Sequence, residues 1–129
     1  MATWNLTHTR HHLLLCNGGS CKRSGAEEVT LAIREELAKH EADSFVHTTK
    51  TMCNGRCEDA CNVVVYPDGN WYNGMTPELG RKLVRGLLDG NRMPLPERIS
   101  YNYDADSFAA TGSAPEGVSK PLVKKAERA

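Results

Sequence analysis

Apolar positions along the chain fall into blocks whose spacing switches between that of strands and that of helices. The first, "HHLLLC" at 11–16, is a short apolar run ending on a cysteine and has the length of a buried strand. Behind it, Ser24 and Glu27 match a capping box. In "AEEVTLAIREELAKH", Val29, Ile33 and Leu37 recur one turn apart, which predicts a helix over 25–40. "SFVHTTK" at 44–50 alternates and is β-branched enough for a second strand. "NVVVYPDGNWY" at 62–72 is the clearest strand signal: a β-branched run, the turn residues Pro67, Asp68 and Gly69, then Trp71 and Tyr72 returning in a hairpin. In "TPELGRKLVRGLLDG", Thr76 can cap and Pro77 can take the first helical position. Leu79, Leu83, Val84, Leu87 and Leu88 then keep helical spacing until Gly90.

Strand, helix, strand, hairpin, helix is the order of a small α/β sandwich with a mixed sheet. An edge strand fits around 98–102. The following "SFAATGSAPEGVSKPLVKKAERA" is rich in Ala, Ser, Gly, Pro and charge and is expected to be loosely held. A chain of 129 residues supports one domain. Its 16 basic and 16 acidic residues leave no excess charge to favour nucleic acid as a partner. No window approaches the ~18 apolar residues of a membrane span, and the first residues lack the order of a signal peptide, so a cytoplasmic location is expected. There the five cysteines would stay reduced, and an odd number cannot pair fully. Metal binding or redox chemistry gains the weight that disulfides lose.

The cysteines read C-x4-C-x31-C-x3-C over Cys16, Cys21, Cys53 and Cys57, with Cys61 left over. Two pairs on two loops can share one site if the sheet brings those loops to one end. Structural zinc usually takes pairs with two intervening residues, and neither gap here is two. A two-iron, two-sulfide cluster, with one pair per iron, fits longer and unequal gaps better. Gly18, Gly19 and Gly55 would allow backbone N–H groups close to anionic sulfur, and a helix start near Cys21 adds a positive dipole end. Lys22, Arg23, Lys50 and Arg56 flank the cysteines and either tune such a centre or are ordinary solvated charges. Cys61, at a strand start, reads as a small buried residue, with ligand exchange or redox sensing as the alternative. The chain holds no C-x-x-C pair for dithiol exchange. Its five histidines are not interleaved with cysteines as a Rieske centre requires; His11 and His12 flank the first strand and His40 suits a helix C-terminus. Glu58 and Asp59 read as solvated, partner-facing or helix-starting, and Trp71 and Tyr72 as core or dimer surface, with cluster cover an open alternative.

In Cys16, Cys21, Cys53 and Cys57, the "VVVYPDGNWY" hairpin that follows and the final helix, the chain resembles the thioredoxin-like 2Fe-2S ferredoxins and the cluster domain of 24-kDa-type NADH dehydrogenase subunits. The resemblance covers 10–102, leaving 103–129 as a tail. It implies a thioredoxin-like two-layer sandwich with the cluster held in two loops at one end. It also implies ligation by Cys16, Cys21, Cys53 and Cys57, one-electron transfer without enzymatic turnover, a reductase and an acceptor enzyme as partners, and a homodimer. The short C-x4-C loop looks more like the respiratory subunit than the free ferredoxins. Two other functions stand beside the carrier: a redox-gated binding or protective protein docking on a larger redox enzyme, and a zinc-stapled interaction module.

Overall fold

The computed structural model describes residues 3–56, 60–112, 117 and 120. The elements run in the order β1 (His11–Cys16), α1 (Gly19–Arg23), α2 (Ala26–Lys39), β2 (Val46–Thr51), β3 (Val63–Tyr66), β4 (Asn70–Tyr72), α3 (Pro77–Leu88), a 3₁₀ turn (Pro96–Arg98), β5 (Ile99–Asp104) and β6 (Ser107–Ala110). Six strands form one open sheet in the order β2-β1-β3-β4-β5-β6. β1 is parallel to β2, and every other neighbouring pair is antiparallel. This is the mixed sheet with helices that the order of blocks predicts.

Strand periodicity sets the core. Leu13 and Leu15 of β1, Val63 and Val65 of β3 and Tyr72 of β4 are buried in one cluster with Val29, Ile33 and Leu37 of α2 and Leu83, Val84 and Leu87 of α3. The 3-4 spacing of the helical residues forms the stripe that meets those strand positions. α3 starts as expected: the Thr76 hydroxyl accepts from Leu79 N–H at 3.2 Å, with Pro77 in the first turn. Gly90 follows its C-cap.

The first helical segment differs from expectation. The helix predicted over 25–40 is present as α2, but Ser24 does not cap it: Ser24 is the C-cap of α1, a short helix that carries Cys21, and left-handed Gly25 (φ 93°) starts α2. Glycine takes that dihedral without the steric penalty of a side chain, so the chain turns between two helices where the capping-box pattern reads as one start. The edge strand expected around 98–102 runs to Asp104, and β6 pairs with it through Tyr103↔Phe108 and Asn102↔Ala109. The sheet thus continues into the segment expected to be loosely held. Of that segment, 113–116, 118, 119 and 121–129 lie outside the described residues. Among the described residues no helix is long and apolar enough to cross a membrane.

The two helices are also joined by a buried carboxylate. Glu36, 1% exposed, accepts from His40 Nε2 at 2.9 Å and from Arg81 and Arg85 of α3 at 3.5 Å each. The His40 hydrogen bond, offset by burial and helped by Lys39 and Arg85, holds this carboxyl below the usual carboxylate range. A depressed folded value contributes stability above the ordinary carboxylate pKa, and that stability is lost as pH falls through the folded value. Glu36→Gln should therefore lower stability by about 1–2 kcal/mol at pH 7. Denaturation curves of the two proteins should converge on acidification.

Candidate metal centre

β1 and β2 run parallel, with Cys16 paired to Thr51, so the loops that leave their C-terminal ends emerge side by side. The first loop turns into α1 with Cys21; the second begins Met52-Cys53. Cys16 N–H donates to Asn62 O at 3.2 Å, and Asn17 N–H donates to Thr51 O at 2.8 Å. The end of β1 is thus fastened on both sides. Cys16 and Cys21 are buried, at 3% and 2% exposure.

Contact between the loops is backbone to backbone. A Cβ on Gly18 would lie 2.8 Å from Cys53 Cα and 2.9 Å from its nitrogen, closer than any side chain tolerates, so glycine is what allows the approach. Cys16 Sγ donates to Met52 O across the same junction at 3.3 Å. Gly55 has a left-handed φ of 87°, and its N–H donates to Cys53 Sγ at 3.3 Å. Gly19 imposes no such demand, since its Cβ would meet only the end of the Arg23 side chain at 3.4 Å.

Cys16 and Cys21 are therefore together, and Cys53, which is exposed, stands on the adjoining loop. Cys57, Glu58 and Asp59 lie outside the described residues. Burial pushes the Cys21 thiol up to about 12, against the pull of the Asn62 main-chain N–H on the sulfur and with a further push from Cys16 and Cys61. Burial, Cys16 and Glu28 raise Cys61 as well. As free thiols these groups hold their protons at neutral pH; a metal ion replacing the protons reverses that balance. Among the described residues no three His, Cys, Asp or Glu side chains close around a single ion. The donor chemistry fits an iron–sulfur centre: thiols on two abutting loops, with N–H groups already aimed at the sulfurs of Cys53 and Cys21.

Cys61 is 2% exposed, and its Sγ lies 3.4 Å from Cys21 O and 3.3 Å from Ser24 O, so it binds the backbone of α1. Of the flanking cations, Lys22, Arg23 and Lys50 are exposed, whereas Arg56 lies over the Tyr101 ring, 4.8 Å from its centroid. Tyr72 is fully buried in the core. Trp71 points to the other sheet face, edge-on to Tyr101 and Phe108, beside a groove of about 290 Å³ that reaches Gly55 and Arg56. Among the described residues no histidine of β1 meets a cysteine: His12 packs on His47 and bonds Thr49 at 2.8 Å. His40 sits at the C-cap of α2.

Sequence reasoning missed the buried amides at this end of the sheet. Asn62 Nδ2 faces Cys21 Sγ at 3.7 Å and Arg56 O at 3.3 Å, and Asn17 Nδ2 donates to Leu15 O and Thr30 Oγ1. The available signal was an asparagine directly behind a cysteine at the head of an apolar run.

A mixed α/β sheet with reduced thiols gathered beyond the end of its parallel pair defines a thioredoxin-like protein with a cysteine-based centre. The model of the thioredoxin-like [2Fe-2S] ferredoxin family matches residues 5–88. A Priestia megaterium protein provisionally named a 2Fe-2S ferredoxin is 44% identical over 122 residues, covering 93% of this chain and 94% of its own. A 2Fe-2S ferredoxin of Clostridium pasteurianum is 28% identical over 96 residues, covering 68% and 94%. The solved structure of a thioredoxin-like [2Fe-2S] ferredoxin from Aquifex aeolicus superimposes with a TM-score of 0.68 at 27% identity, covering 75% of this chain and 96% of that one. The chain belongs to the thioredoxin-like [2Fe-2S] ferredoxin family.

The loop contact gives a direct test. Gly18→Ala forces a methyl group into the Cys53 backbone and should lower stability by about 1–3 kcal/mol, with reduced iron incorporation. Gly19→Ala should leave both unchanged, as read by thermal melts and iron content.

Proposed function

We propose that this protein is a one-electron carrier whose 2Fe-2S cluster is held by Cys16, Cys21, Cys53 and Cys57. The observation that carries the reading is the meeting of the two cysteine loops, with Gly18 packed on the Cys53 backbone and the Cys16 thiol donating to Met52 O. Family membership supports the cofactor and the ferredoxin role.

The cluster supplies a site that accepts one electron and returns it without making or breaking a covalent bond to substrate. The chain does the rest. Cys16 and Cys21 are withdrawn into the core, which limits water around their sulfurs, while Cys53 on the exposed loop lies on the side open to a partner. Gly55 N–H holds a positive dipole on the Cys53 sulfur. Exposed Lys22 and Arg23 at the end of α1, and the groove beside Arg56, Trp71 and Phe108, offer charge and shape for a reductase or acceptor to recognise. None of these groups acts as a general acid or base, so the reading includes no enzymatic turnover. It also includes a homodimer working in the cytoplasm, which sedimentation and fractionation would check.

Cys16→Ser should abolish or strongly reduce the visible absorption of the anaerobically purified protein, and Cys61→Ser should leave it intact. Equal loss of colour in both would overturn the ligand assignment. Zinc without acid-labile sulfide in the wild type would overturn the cofactor itself.

A further inference from the structure

Asn62 heads the run "NVVVY", where the three following residues are buried and apolar. It is itself 2% exposed. A primary amide in such a place carries two donor hydrogens and an acceptor oxygen, and leaving them unmatched is unfavourable. All of them are matched here. The two Nδ2 hydrogens face Cys21 Sγ at 3.7 Å and Arg56 O at 3.3 Å, and Oδ1 accepts from Asn54 Nδ2 at 3.1 Å. Asn54 Oδ1 in turn lies 2.9 Å from the Thr51 hydroxyl. The amide cannot be turned the other way: a backbone carbonyl and an ionised sulfur only accept, so the nitrogen must face them. The main chain of the same residue accepts from Cys16 N–H at 3.2 Å. One side chain thus touches the sulfur of the first loop and the backbone of the second, and its own carbonyl fastens the strand end that carries Cys16.

We infer that Asn62 is a positioning residue that raises the reduction potential of the cluster by donating a hydrogen bond to the Cys21 sulfur, with Asn54 fixing the direction of its amide. The inference rests on the carrier reading above and adds to it a residue outside the four cysteines. Reduction adds one negative charge that spreads in part onto the ligating sulfurs. An N–H···S bond strengthens as the sulfur gains charge, so the donor favours the reduced form. Asn54 does not touch the sulfur; its contribution passes through Asn62.

The test is a potentiometric titration of the full-length, cluster-loaded protein, followed by visible absorption and electron resonance, for wild type, Asn62→Leu and Asn54→Ala. Asn62→Leu should shift the reduction equilibrium toward the oxidised form by about tenfold, equivalent to 59 mV for one electron. Asn54→Ala, which leaves the amide in place without its orienting partner, should shift it the same way by less. Unchanged potentials in both variants at full cluster content would overturn the inference and leave the carrier reading intact. If Asn62→Leu does not hold a cluster, Asn54→Ala decides by the same criterion. A wild type that takes up no cluster at all overturns the carrier reading, and the inference with it.

Discussion

The parallel pairing of β1 with β2 is the constraint on which the site depends. Each strand has six residues, roughly 20 Å of extended chain. Had the two paired antiparallel, the loop after Cys16 and the loop after Thr51 would leave opposite ends of the sheet, that far apart. Parallel pairing places both at one end, and the register Cys16↔Thr51 makes the two exits level. The crossover that parallel strands require is supplied by α2, which packs its Val29, Ile33 and Leu37 stripe back onto the sheet. The helix core and the cysteine end are therefore one construction: the apolar stripe closes the crossover, and the crossover brings the thiols together.

Much of this was legible because the relevant signals are local. β-branched runs, the Pro67-Asp68-Gly69 turn and the Thr76 cap each act within a few residues, and the structure has β3, β4 and α3 where those signals put them. The failures are places where a nonlocal partner or a single dihedral overrode the local pattern. Ser24 and Glu27 have capping-box spacing, but α1 already occupies the residues before them and Gly25 takes the turn between the two helices. β6 has a composition that suggests no strand; a full ladder to β5 forms it, with Phe108 packed edge-on to Trp71 and Tyr103.

The candidate site divides along the same line. Cysteine spacing marks which residues belong to two loops, but it carries no information about which backbone groups meet between them. That Gly18 is needed against Cys53, while Gly19 beside it is not, depends on a contact across 35 positions of sequence. Asn62 is harder still, because an asparagine before a strand is ordinary turn chemistry until the sulfur of Cys21 and the carbonyl of Arg56 are placed around it.

Magnitudes favour the buried dipoles over the visible charges as the dominant local influence. A cation ~6 Å from the cluster contributes roughly 3 kcal/mol at an effective dielectric of ~20, but only about 0.7 kcal/mol if water fills the space between them. Lys22, Arg23 and Lys50 are exposed, so their effect lies toward the smaller figure and weakens further with salt. A hydrogen bond to a charged acceptor contributes about 1.5–3 kcal/mol. The Asn62 donor does not share that weakness, since Asn62 is closed off from solvent, whereas the Gly55 N–H on Cys53 lies at the exposed surface and is held only in direction by its own backbone. On the proposed ligand set, exposed cations act mainly at longer range, on the approach of a charged partner, while amides set how much charge the sulfurs bear. A chain with equal numbers of acidic and basic residues can therefore stabilise an anionic centre without any net positive charge, because the compensation comes from oriented N–H groups within hydrogen-bond distance.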